Sequence, residues 1–205
     1  MKLMKYLVKQ SLILSGLLFL ASCSDGEKGA AGKKTSETKK PAGQFVFYKD
    51  IEIRPGINFE LISWGKGVDS IGGYTILMSD SIRNNYKSFS NERKGIITDA
   101  WNMDMDNDGD PEIYIELLSK KNVKDLNVYE YSGGSFNKIS FPPLSSRAKE
   151  SYAGDDKFSI KNGELFRTYP LVNPKDTSIK AGDMKYLQYS LRGNSFEISE
   201  LKKGE

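Results

Sequence analysis

The chain has 205 residues, 38% hydrophobic and 28% charged, the balance of a soluble globular protein with apolar material for one modest core. It has no histidine and a single cysteine, which excludes Ser-His-Asp and Cys-His catalysis, imidazole ligation of zinc or haem, and an intrachain disulfide. The formal charge of +3 comes from Lys2, Lys5 and Lys9, in a segment expected to be removed. The rest balances 27 basic against 27 acidic residues, so no electrostatic case for a nucleic-acid partner remains.

Residues 1–22 read as an export signal. A cationic start, Met1-Lys2-Leu3-Met4-Lys5, runs into the apolar stretch Leu12-Ile13-Leu14-Ser15-Gly16-Leu17-Leu18-Phe19-Leu20. That stretch is shorter than the roughly 20 residues needed to cross a bilayer as a permanent helix. The sequence that follows, Leu20-Ala21-Ser22-Cys23, resembles the lipobox of bacterial lipoproteins. The resemblance implies that the thiol of Cys23 takes a diacylglycerol, that cleavage makes Cys23 the new N-terminus, and that several acyl chains such as palmitate anchor the protein durably to a membrane. Similarity to lipoprotein sorting signals, with Ser24 rather than Asp after the cysteine, implies the outer membrane. Asp25 and Glu27 fit a surface-export signal equally well, so periplasmic-facing and exterior-facing placements both stand.

Residues 23–44 comprise that cysteine and a stretch without a large apolar side chain. Such a stretch cannot offset the entropy cost of ordering, and it is expected to be a disordered tether. From residue 45 to 205 short strand-like runs are broken by Gly, Asn, Asp and Pro. The runs are Phe45–Arg54, Ile57–Trp64, Tyr74–Ser79, Gly95–Met103, Glu112–Leu118, Leu126–Tyr131, Phe136–Ile139, Lys157–Ile160, Glu164–Tyr169, Met184–Leu191 and Ser195–Leu201. The pairs Gly133-Gly134, Asn162-Gly163 and Gly193-Asn194 mark hairpin turns, and a short helix is expected around Ser81–Tyr86. The fold class is therefore all-β: one antiparallel domain, either a β-sandwich or a partly open barrel. No internal sequence repeat argues for a propeller. Trp64 and Trp101 are expected to be core anchors.

Between two of the runs lies Asp104-Met105-Asp106-Asn107-Asp108-Gly109-Asp110-Pro111-Glu112. Oxygen ligands at alternate positions, with Gly at the sixth for a sharp turn, are what a hard cation such as Ca²⁺ requires of a short loop. Asp104, Asp106 and Asp108 would supply carboxylates, Asp110 its backbone carbonyl, and Glu112 a carboxylate at position nine. Ile115 stands where an EF-hand has its bidentate Glu. The loop resembles instead the strand-turn-strand loops of integrin-type calcium-binding β-repeats, which implies a structural Ca²⁺. A solvated Asn107-Asp108-Gly109 turn whose carboxylates cap amides is the competing reading. Hydrolysis by a carboxylate pair is disfavoured, because these acids crowd one turn rather than flank a substrate.

Three segments together resemble the periplasmic inhibitors of invertebrate-type lysozyme. They are Asp69-Ser70-Ile71-Gly72-Gly73-Tyr74-Thr75-Ile76, the stretch from Ile96 to Leu118, and Leu165-Phe166-Arg167-Thr168-Tyr169-Pro170-Leu171 leading to Tyr186-Leu187-Gln188-Tyr189. The resemblance implies an exported all-β protein that acts by binding a protein partner, possessing no catalysis of its own. It also implies a loop rich in Ser, Gly and Tyr that enters the lysozyme cleft. The corresponding segment here, Ser119-Lys120-Lys121-Asn122-Val123-Lys124, has neither Gly nor Tyr, and its three lysines would either meet an acidic cleft or form a solvated turn. A second contact loop is expected at Ser70, Gly72, Gly73 and Tyr74, unless the glycines serve turn geometry and Tyr74 packs inward. The alternative function is a calcium-stabilised cell-surface module for adhesion or polysaccharide binding.

Overall fold

The computed structural model describes residues 45–69, 71–119, 122–172 and 182–202, all of which belong to one compact unit. The signal segment, Cys23 and the tether lie outside the described residues. Three open sheets of four antiparallel strands follow one another along the chain. The first contains β1 (Phe47–Arg54), β2 (Ile57–Trp64), β3 (Gly73–Asp80) and β4 (Asn85–Glu92). The second contains β5 (Ile96–Met103), β6 (Glu112–Leu118), β7 (Lys124–Ser132) and β8 (Ser135–Ile139). The third contains β9 (Lys157–Lys161), β10 (Glu164–Pro170), β11 (Met184–Arg192) and β12 (Ser195–Leu201). The fold is all-β and layered, and none of the sheets closes into a barrel.

Side-chain alternation decides the layering. In the first sheet Ile57, Phe59 and Leu61 of β2 and Tyr74, Ile76 and Met78 of β3 share one buried face. That face meets Ile97, Ala100, Ile113, Ile115, Leu117 and Tyr129 of the second sheet. The opposite face of the second sheet sends Tyr114, Leu126, Val128 and Ile139 into another core, with Leu165, Tyr169, Leu187, Tyr189 and Leu191 of the third. The second sheet is thus the middle layer, and six of the seven residues of β6 are buried.

One polar contact keys each pair of layers. The hydroxyls of Tyr74 and Tyr129 lie 2.6 Å apart inside the first core, and Asn127 and Asn91 donate to them at 3.1 and 2.9 Å. Between the second and third sheets, Arg167 Nε donates to Asp156 Oδ1 at 2.7 Å, with side chains 4% and 0% exposed. Arg167 Nη2 also donates to the Lys124 carbonyl at 3.0 Å, the Lys124 amide donates to Asp156 Oδ2 at 3.0 Å, and the Tyr152 hydroxyl donates to the same oxygen. A buried charge pair survives only when its remaining hydrogen-bonding groups are satisfied in this way.

The structure departs from the sequence reading at three local elements and one side chain. Residues 81–84 form a turn rather than a helix, because Asp80 Oδ1 accepts from the amides of Ile82 at 3.0 Å and Arg83 at 2.9 Å, and Asn84 takes φ 49°. The chain then enters β4, an edge strand whose only part-buried side chain is Phe89, so its sequence lacks an apolar alternation. A helix α1 (Ser146–Glu150) also forms, started by Ser145 Oγ accepting from Ala148 N at 3.1 Å. Trp101 packs against the second core as expected, stacked on Tyr114, whereas Trp64 is 42% exposed.

Removing one partner of the buried pair strands the other, which costs about 3–5 kcal/mol. Asp156→Ala should lower unfolding stability by that amount in urea titration, and a loss below about 1 kcal/mol would show that the carbonyl of Lys124 satisfies the guanidinium alone.

Candidate functional site

The loop joining β5 to β6 is built from its own carboxylates. Asp104 Oδ2 accepts from the Gly109 amide at 3.1 Å, Asp108 Oδ1 from the Asp110 amide at 2.9 Å, and Glu112 Oε2 from the Met105 amide at 2.8 Å. Asn107 and Gly109 take φ 59° and 90°, which turns the chain back sharply enough for these contacts. Met105 is buried in the second core and pins the loop to the domain.

Four acids converge. Oxygens from Asp104, Asp106, Asp108 and Glu112 lie within 4.8 Å of one another, an arrangement that could hold a metal ion. Asp106 Oδ1 is buried and has no hydrogen-bond partner. At such separations each pair of like charges repels by about 1 kcal/mol in water and about 4 kcal/mol in a protein-like dielectric. Glu112 is only 1% exposed, and its carboxyl pKa is raised to about 7 by burial and by the charges of Asp106, Asp104 and Asp108, against the lowering effect of the Met105 amide. The Tyr114 hydroxyl, buried and 3.4 Å from Glu112 Oε2, is also pushed up.

Asp110 does not join the carboxylates of this group. Its side chain forms a second trio with Asp108 and Glu130. Glu130 lies directly across the sheet from Glu112, on the same face, buried at 4% exposure and held by Asn194 and Ser132. Sequence spacing offered no signal for it, since register rather than proximity along the chain brings it to the loop. A cleft of about 400 Å³ opens beside the acids, lined on one wall by Asp104 and Asp106 and on the other by Asn162, Glu164, Ser190 and Arg192.

The expected partner-contact residues that are described, Gly72, Gly73, Tyr74, Ser119 and Asn122, lie towards the other end of β6, about 20 Å away for a strand of seven residues. Ser70, Lys120 and Lys121 lie outside the described residues. Gly72, Gly73 and Tyr74 are buried, so the packing alternative replaces the contact-loop expectation for these three. A Cβ on Gly72 would sit 2.4 Å from the Trp64 carbonyl oxygen, and one on Gly73 would sit 2.6 Å from the Trp64 ring. Ser119 turns inward, with its amide and hydroxyl both on the Val123 carbonyl at 2.8 and 3.0 Å. Asn122 is exposed at φ 56°, its carbonyl accepting from the Asp155 amide at 2.9 Å. Lys124 is paired with Glu116 at 2.7 Å.

Arg93, which reads in sequence as one more surface charge, organises this end. It is 6% exposed, and its guanidinium donates to the carbonyls of Trp64 at 2.9 Å, Gly67 at 3.0 Å and Gly95. Its amide donates to Gly72 O at 3.1 Å, and Gly95 packs against Leu118 O, so Arg93 and Gly95 link Trp64, Gly67 and Gly72 to the end of β6.

No family model and no curated protein matches the chain. The functional reading therefore rests on the residues.

For Glu112 the folded state holds its proton up to about pH 7, while an unfolded glutamate releases it near 4.5. The metal-free folded state then binds more protons than the unfolded state across that window, so stability falls as pH rises through it. Chelator-treated protein should melt at lower temperature at pH 7.5 than at pH 5, and Glu112→Gln should flatten the decline. An unchanged slope in that variant would move the effect to other groups.

Proposed function

We propose that the chain is an envelope lipoprotein, anchored through Cys23 at the outer membrane, whose β domain acts by binding a macromolecular partner, with Ca²⁺ bracing its acidic end. The observation that carries the metal-braced reading is the convergence of four acids around a buried, unpartnered Asp106 oxygen. A hard cation relieves their repulsion and supplies what that oxygen lacks. The donor set fits: carboxylates on a loop tight enough to present them together, without sulfur or imidazole. Asp104, Asp106, Asp108 and Glu112 would hold the ion, and its role would be to fix the loop against the middle sheet.

A lysozyme is the candidate partner, on the resemblance of residues 69–76, 96–118 and 165–189 to the inhibitor family. A second reading, a calcium-dependent polysaccharide or adhesion module, is favoured by the cleft beside the acids. Ser190, Asn162 and Arg192 line it together with Asp104 and Asp106, and carry between them the mixed donors and acceptors that sugar hydroxyls require.

Two measurements test these statements. Calcium at a hundredfold excess over its dissociation constant adds about 2.7 kcal/mol, or about 5–10 °C in a domain of this size. Melting with calcium and with chelator should differ by that much, and coincident curves overturn the metal. Titration against lysozymes of several classes should yield a complex that persists at micromolar concentration. Retention on acidic polysaccharide instead, lost with chelator and weakened by Arg192→Ala, would replace the lysozyme reading with the second one.

A further inference from the structure

The end of the first sheet carries an apolar tip that the core does not explain. Val46 and Trp64 fall opposite each other when the β1–β2 register is continued one step, and the Val46 amide donates to the Ser63 carbonyl at 3.0 Å. The Trp64 ring lies over Gly73, where a side chain would collide with it, and Gly65 packs against the carbonyl of Ile71. Ile71 is 97% exposed, Val46 50%, and Phe45 and Trp64 42% each. An isolated exposed apolar side chain is ordinary, but four large ones at one end of a sheet are not. The buried Arg93 holds the carbonyls of Trp64 and Gly67 through its guanidinium and that of Gly72, the residue after Ile71, through its amide.

Covalent connectivity points to what the tip meets. The described chain begins at Phe45, inside the tip, so the segment leading back to Cys23 departs from this corner of the domain. That segment contains Lys28, Lys33, Lys34, Lys39 and Lys40. Lys66 and Lys94 are exposed beside the tip, with Asp69 and Glu92 near them, so the local charge is close to balanced and apolar contact dominates. We infer that this tip is a membrane seat: Val46, Trp64 and Ile71, with Phe45, enter the interfacial layer of the lipid surface to which Cys23 ties the chain. The inference rests on the lipoprotein reading for its membrane, and it deepens that reading by orienting the domain. Tryptophan and phenylalanine favour the headgroup boundary, and a few buried apolar side chains add to an anchor already in place. The acidic loop and its cleft, at the far end of β6, then face away from the lipid.

The test separates the seat from the anchor. The chain from residue 23 onward with Cys23→Ser, the lipid-free counterpart of the mature protein, is mixed with vesicles of phosphatidylethanolamine and phosphatidylglycerol and sedimented. Weak partitioning that persists in high salt is expected, with a blue shift of Trp64 emission in a Trp101→Phe background. Ile71→Asp and Trp64→Ala should each reduce the partition coefficient about tenfold or more. Ile82→Asp, at an isoleucine 76% exposed in the turn that follows the opposite end of β3, should leave it unchanged. Full exposure of Ile71 makes unfolding by its substitution an implausible confound, and melting curves verify this. Absence of partitioning, loss in high salt, or equal effects of Ile71→Asp and Ile82→Asp overturns the seat. So does an Ile71→Asp defect seen only in binding a protein partner. Acylation of Cys23 is read independently from the mass of the mature protein, so failure of the anchor and failure of the seat are told apart.

Discussion

Burial of β6 on both faces is the constraint from which the other features follow. A strand with one wet face can send its polar side chains to water, but the middle layer has no such face. Its glutamates and tyrosines must therefore find partners inside the protein or gather where the layer ends. Glu116 takes Lys124 and Thr98, Tyr129 takes Tyr74, and Glu130 takes Asn194. Glu112, first in the strand, receives only an amide and a phenol while facing three more acids. At the acidic loop four carboxyl groups therefore converge beside a buried Asp106 oxygen without a hydrogen-bond partner, an arrangement that could hold a metal ion.

The same constraint explains the polar keys between layers. Apolar faces alone are tolerant of sliding, because dispersion contacts are individually weak and non-directional. A hydroxyl pair such as Tyr74 and Tyr129, or a guanidinium shared between Asp156 and the Lys124 carbonyl, admits one register only. Specificity of this kind is gained at a desolvation cost, which the large apolar cores on either side offset.

Much of this was legible in sequence because strands alternate and hairpin turns have a characteristic chemistry. The Asn162-Gly163 and Gly193-Asn194 turns sit where expected, with both residues of each at positive φ. In β2 the alternation Ile57, Phe59, Leu61 also places Trp64 on the outward face, a signal that outranks the general tendency of tryptophan to be buried. What stayed hidden depends on pairing. Edge strand β4 reads Asn-Tyr-Lys-Ser-Phe-Ser-Asn-Glu and has only Phe89 to bury, so no periodicity announces it. Glu130 reaches the acids through cross-strand register, and Arg93 becomes structural only because distant glycine carbonyls surround it. The layered architecture itself repeats a four-strand meander three times with no repeated sequence, since each copy faces a different environment: one outer, one buried on both sides, one outer.

β6 also sets the polarity of the molecule. Its first residue enters the acidic cluster, and its last, Leu118, packs behind Gly95 at the end organised by Arg93. Charge is concentrated at one end of a rigid strand and apolar exposure lies towards the other, with no hinge between them inside the strand. Two surfaces of opposite chemistry at the two ends of one layer do not overlap. A domain built this way holds a fixed distance between its apolar tip and its acidic end, a distance set by strand length.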